Sequence, residues 1–140
     1  DTKRDGKPFT QPETRAARDA MVKLGKAPNA KVFLFLDFHS TGSDIFYAQP
    51  DEAITFPPLF TSKWLGAFAK RYPDYQFKRN DGHNIGLATS KAWAYETFGC
   101  AGITCELGYH TDRTLIRKVS AGSAEEMMKV LLAEEAQLNP

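Results

Sequence analysis

The run Val32-Phe33-Leu34-Phe35-Leu36 is apolar without alternation, and this feature does most to limit the fold. Apolar side chains on both faces of a strand mean that both faces of its sheet are covered, as happens between layers of helices. The pattern predicts a strand over Lys31 to Phe38. Ahead of it, Thr10-Gln11-Pro12-Glu13 has the form of a capping box, with threonine as N-cap, proline in the first turn and glutamate at the third helical position. Ala16, Ala17, Ala20, Met21 and Leu24 then share one face at helical spacing, and Gly25 with Pro28 ends the segment. A helix followed by a buried strand predicts an α/β layer architecture.

Downstream, Ile45-Phe46-Tyr47-Ala48 follows the turn Thr41-Gly42-Ser43-Asp44, is stopped by Pro50, and predicts a short neighbouring strand. Between Pro57-Pro58 and Arg71-Tyr72, the residues Phe60, Trp64, Leu65, Phe68 and Ala69 keep a helical period, with Pro73 as terminator. The polar, turn-rich stretch from Asp74 to Gly86 is expected to be a loop over the site. Thr89 or Ser90 caps a predicted helix carrying Trp93, Tyr95 and Phe98, and Gly99 ends it just before the strand Ala101-Gly102-Ile103-Thr104-Cys105-Glu106-Leu107-Gly108. An amphipathic helix from about Asp112 to Gln137 closes the chain, with Leu115, Ile116, Val119, Met127, Met128, Leu131 and Leu132 expected on the sheet. No internal repeat or low-complexity linker interrupts the order, which predicts one domain or part of one.

The 140 residues, 42% hydrophobic and 12% aromatic, are enough for a sizeable core. Eighteen basic residues against seventeen acidic ones, with no basic block, argue against nucleic acid as a partner. The apolar runs are too short to span a bilayer, so no membrane partner is expected. Cys100 and Cys105 flank one strand, and an extended chain separates them by roughly 16 Å, beyond the reach of a disulfide. Both are expected to be buried thiols.

Two strand ends carry the chemistry. His39 closes the first strand, where an imidazole is held rigidly facing the crevice in which sheet proteins bind ligands. Glu106 occupies the matching position on the second strand, and a carboxylate near a core is costly unless it is paired or at work. One imidazole and one carboxylate placed so are working parts of a zinc hydrolase when further ligands complete the site. The plainer readings are a structural hydrogen-bonding His39 and a Glu106 paired with Arg113. Ser40 is not a nucleophile signal: it points away from His39 on a strand, and no Gly-x-Ser-x-Gly elbow is present. Phe33, Phe35, Phe38, Trp64 and Phe68 are at spacings that mean core.

Taken together, Asp1-Thr2-Lys3-Arg4-Asp5, the segment Pro8 to Ala16, Asp37-Phe38-His39-Ser40-Thr41, Ile103-Thr104-Cys105-Glu106-Leu107-Gly108 and Thr111-Asp112-Arg113 resemble the zinc carboxypeptidase family, the carboxypeptidase A-like metallopeptidases. The resemblance runs through nearly the whole chain in the expected order. It implies a three-layer α/β/α sandwich with a mixed, mostly parallel sheet. It also implies that His39 is the third zinc ligand and that Glu106 takes a proton from the attacking water and returns one to the leaving amine. Arg4 corresponds to the arginine that grips the substrate's free carboxylate, a task suited to a planar guanidinium. Tyr95 is a candidate, by proximity, for the family's mobile tyrosine.

The sequence departs from the family pattern in two places. No His-x-x-Glu is present, the histidines being His39, His83 and His110, and Lys3 stands where the family has asparagine before Arg4. His83 and His110 are set aside as replacement ligands, since they would require an unprecedented site. The expectation is that these residues are the C-terminal part of a longer catalytic domain. Zinc is then held in the intact parent, and little zinc or activity is expected of this part alone.

The activity implied is hydrolysis of the C-terminal bond of a peptide or a peptidoglycan stem peptide, in the periplasm or outside the cell rather than in the cytoplasm. The alternatives are a zinc amidohydrolase of the succinylglutamate desuccinylase and aspartoacylase type, or a catalytically inactive peptide-binding module.

Overall fold

Ile103 is completely buried while its neighbours Gly102 and Thr104 face the other way, and this alternation along one strand sorts the molecule into layers. The computed structural model describes residues 9–83 and 86–138. In chain order the elements are α1 (Pro12–Gly25), β1 (Leu34–Thr41), β2 (Ile45–Tyr47), α2 (Phe60–Arg71), β3 (Lys78–Asn80), α3 (Ser90–Phe98), β4 (Ala101–Gly108) and α4 (Arg113–Leu138). The sheet order is β1-β4-β2-β3. β1 runs parallel to β4 from Leu34↔Ala101 to Thr41↔Gly108, β2 is antiparallel to β4, and β2 is parallel to β3. The sheet is therefore mixed and mostly parallel, in an α/β sandwich, as expected.

On one face of β4, Ala101, Ile103 and Cys105 join Phe46 of β2, the α2 residues Phe60, Trp64, Leu65 and Phe68, and Val119 of α4 in a single apolar cluster. Full burial of a side chain such as Ile103 contributes about 1.5–3 kcal/mol. The aromatic members meet edge to face, as Phe46 and Trp64 do at 5.7 Å, or stacked, as Phe68 and Phe77 do at 5.1 Å. The Trp64 indole nitrogen is satisfied too, donating to the Ser123 carbonyl of α4 at 2.8 Å. The opposite face of β4 carries α3. Gly102 makes this approach possible, because a β-carbon there would lie 2.2 Å from the Lys91 carbonyl oxygen.

Several sequence signals act as expected. The Thr89 hydroxyl accepts from the Ala92 amide and caps α3, and Gly99 ends it at φ 66°, a left-handed conformation that costs glycine little. The last helix begins about where expected, and Asp112, for which no capping role was read in the sequence, caps α4 by accepting from the Leu115 amide at 2.8 Å. Cys100 and Cys105 are buried free thiols. No described helix is long and apolar enough to cross a membrane.

Other expectations need correction. The N-cap of α1 is Gln11, not Thr10, and its side chain makes no capping bond. Pro12 forces the residue before it into extended backbone, so the helix begins immediately after Gln11 and Thr10 lies one residue too far out. The apolar stripe of α1 buries none of its residues, and Leu24 is 72% exposed. The first strand starts at Leu34 rather than Lys31 and runs on to Thr41, so His39 lies within it rather than after it. It is an edge strand of the described sheet: Leu34 and Leu36 pack on the core, but Phe38, expected inside, is 70% exposed. The strand Ile45–Tyr47 neighbours β4 and β3, not β1. The expected loop from Asp74 to Gly86 contains β3, whose Arg79 is tied to Asp51 at 2.6 Å and Asp81 at 2.7 Å. On α4, Val119 is buried as expected, whereas Leu115, Met128 and Leu132 are exposed.

Candidate functional site

Parallel pairing places His39 of β1 directly beside Glu106 of β4 in the register. Paired residues on adjacent strands project from the same face, with the strands about 4.8 Å apart. Alternation adds Asp37 from β1 and Thr104 from β4, which are also register partners, to that face. These four residues form one wall of a cavity of about 790 Å³. The first turn of α3, with Ser90 and Lys91, and His83 also line it. The stretch expected to lie over the site thus does so through His83, whose ring packs on Tyr47 with centroids 4.1 Å apart.

His39 is oriented by a relay. Its Nε2 lies 3.0 Å from Asp37 Oδ1, and the other oxygen of Asp37 accepts from the Ser90 hydroxyl at the start of α3. A carboxylate engaging one ring nitrogen fixes the imidazole and leaves the other nitrogen for a further partner. The His39 side chain is half exposed to the cavity and its mouth.

Glu106 is in the opposite condition. Its Oε2 is buried and makes no hydrogen bond, and it is the only such side-chain atom among the described residues. Leaving a buried acceptor unsatisfied costs about 1–3 kcal/mol, more for a charged group, so its place in the fold is not explained by stability. Arg113 is exposed and does not pair with Glu106, so the ion-pair reading of this carboxylate is not what the structure shows.

Among the other residues singled out in the sequence, Tyr95 sits on α3 but does not line the cavity, and His110 is exposed and away from it. Arg4 lies outside the described residues. Asp37, Ser90 and Lys91 are additions that sequence reasoning missed. Asp37 carried a readable signal, since residues two apart on a strand share a face with the histidine. Ser90 carried none, because it meets Asp37 across 53 residues of chain.

Among the described residues, no three of His, Cys, Asp and Glu come together as a group able to hold a metal ion. One imidazole with one orphaned carboxylate does not make a tetrahedral zinc site, so these residues do not by themselves fit the ion.

No family model matches the chain, and no curated protein matches it. Among solved structures, the fold is similar to that of a metallo-carboxypeptidase from Burkholderia cenocepacia, with a TM-score of 0.58 and 19% sequence identity. The match covers 91% of this chain and 35% of that one, so the chain spans about a third of the length of this structural neighbour.

Proposed function

We propose that this chain carries the acid/base carboxylate and one ligand imidazole of a metallocarboxypeptidase-type hydrolase, acting on the C-terminal bond of a peptide or peptidoglycan stem peptide. The observation that carries the reading is the pairing of His39 with Glu106 across β1 and β4, with the unsatisfied Glu106 Oε2 beside the cavity. The fold likeness to a metallo-carboxypeptidase supports it. The ligands that would complete a zinc site with His39 come, on this reading, from residues other than the described ones, within a longer catalytic domain that works in the periplasm or outside the cell.

The residues present account for the proton transfers. Glu106 takes a proton from a water whose oxygen attacks the scissile carbonyl carbon, and then passes it to the amine nitrogen as the C–N bond breaks. Positioning by β4 leaves Oε2 without a hydrogen-bond partner among the described residues, so it is available for both transfers. Asp37, anchored by Ser90, holds the His39 ring in place. Arg4 would receive the substrate's terminal carboxylate.

The test is release of a single C-terminal residue by the natural-length protein supplied with zinc. Peptides with a free terminal carboxylate should be cleaved, their amidated counterparts should not, and chelation should stop the reaction. Failure to cleave any free-carboxylate peptide, or preferential cleavage of N-acyl amino acids, contradicts the reading.

A further inference from the structure

Asp37, Thr104 and Tyr47 lie side by side across β1, β4 and β2, and all three line the cavity. His83 joins this row from outside the sheet. Its ring covers that of Tyr47, with centroids 4.1 Å apart and planes inclined by 31°, and it lines the same cavity as Glu106. Tyr47 is one strand across from Glu106 and one two-residue repeat along, so their backbones are separated by roughly 8 Å, the length of two or three residues of extended peptide. A short peptide therefore reaches both groups.

The polar turn that brings His83 here is fixed at several points. Asn80 pairs with Tyr47 in the register of β3 with β2, and its side-chain oxygen accepts from the Gly82 amide at 3.1 Å. Between these two residues stands Asp81, whose carboxylate accepts from Arg79 Nε at 2.7 Å. The rest of that guanidinium donates to Asp51 at 2.6 Å, to the Gln49 carbonyl at 3.3 Å and to the Ser62 hydroxyl. Four oxygen-bearing groups around one partly buried guanidinium tie the turn to the segment after β2 and to α2. Partly exposed ion pairs add only about 0.2–1 kcal/mol each, and residues 79–83 take no part in the apolar cluster. What the arrangement secures is the position of an imidazole.

We propose that His83 is a substrate-contacting residue, its imidazole donating a hydrogen bond to a backbone carbonyl oxygen of the bound peptide, and that Arg79 is the positioning residue that presents it. The proposal rests on the hydrolase reading of this cavity. A neutral imidazole carries one ring N–H in either tautomer and a protonated one carries two, so a donor is present in every state. Every peptide has the acceptor, so the contact adds affinity without choosing among side chains.

The experiment measures kcat/KM of the natural-length, zinc-supplied protein on a free-carboxylate peptide, together with the imidazole proton resonances of its histidines. His83→Ala should lower kcat/KM roughly 2- to 12-fold, the span of one hydrogen bond between neutral groups. Asp81→Ala, which releases the turn while leaving Arg79 with Asp51, should lower it to a similar extent. The double variant should fall no further than His83→Ala alone, because the two residues act through one contact. The ring current of Tyr47 marks the His83 resonance, which is identified by its loss in His83→Ala and should move in both Asp81→Ala and Arg79→Ala. Circular dichroism confirms that each variant is folded, and Asp81→Ala carries the test if Arg79→Ala is not. Wild-type kcat/KM in His83→Ala overturns the contact, and additive losses in the double variant or an unmoved resonance in Asp81→Ala overturn the positioning role, in each case leaving the hydrolase reading intact. If the wild type cleaves no peptide, the hydrolase reading fails and titration with N-acetyl-trialanine decides alone. A His83 resonance that moves with saturation, and weaker binding by His83→Ala, uphold the contact; equal binding by both proteins, or none, overturns it.

Discussion

Gly102 of β4 and Lys91 of α3 are packed so closely that a single β-carbon on the glycine would sit 2.2 Å from the lysine's carbonyl oxygen and 2.9 Å from its carbonyl carbon. The obstacle is backbone, which cannot rotate aside, so α3 would have to lift off the sheet. Gly102→Ala is expected to cost about 1–3 kcal/mol, the usual range for overpacking. The drop in urea midpoint measures it. The same lift should displace Ser90 from Asp37, which would show as a changed His39 imidazole resonance.

Asp44 is a second anchor, at the C-terminal end of β4. One carboxylate oxygen accepts from the Gly108 amide at 2.6 Å, and both accept from the Thr111 hydroxyl, at 3.1 and 2.9 Å, tying the turn before β2 to the end of β4. Asp44→Ala leaves a buried amide without its acceptor, and about 1–3 kcal/mol of stability should be lost. Asp44→Asn, which keeps an acceptor oxygen, should lose less. Thermal denaturation of the two variants separates these outcomes.

Burial pushes the Cys105 thiol up to about 12 and the Cys100 thiol up to about 11, from an ordinary value of 9.0. Above pH 9 the unfolded chain releases these protons while the folded chain keeps them, so the unfolded state binds fewer protons and stability falls as pH rises. The stabilising contribution is full below pH 9 and is lost towards pH 12. Replacing both cysteines by alanine should flatten that part of the stability profile. In the native protein at pH 8, neither thiol should react with a disulfide reagent, and both should react on unfolding.

The parts of this fold that were readable in the sequence are those whose reasons are local. Thr89 and Gly99 begin and end α3 through their own side chain or φ preference, and the apolar series along α2 reports a buried face directly. Other elements depend on neighbours distant in the chain. β3 is only Lys78-Arg79-Asn80, polar residues that form a strand because β2 offers free backbone groups, a fact with no hydrophobic signature. The apolar run of β1 reads as doubly covered, yet as the edge of the described sheet it leaves Phe38 in solvent. In the site, His39 and Glu106 stood out because each interrupts an apolar strand. Lys91 did not, because a lysine in a helix is ordinarily a solvated side chain, and only the glycine beneath it and the cavity beside it mark it as unusual.

On the proposed reading, the orphaned Glu106 carboxylate, set beside His39 by β-sheet register, transfers protons in peptide hydrolysis. Glu106→Gln keeps the shape and removes the base, and its kcat in the natural-length protein with zinc supplied is the decisive measurement. The expected result is a fall in kcat of about 10²- to 10⁴-fold, the usual contribution of a positioned acid/base group, with KM little changed and the fold intact by circular dichroism. A kcat within twofold of the wild type would rule out Glu106 as the proton-transfer group.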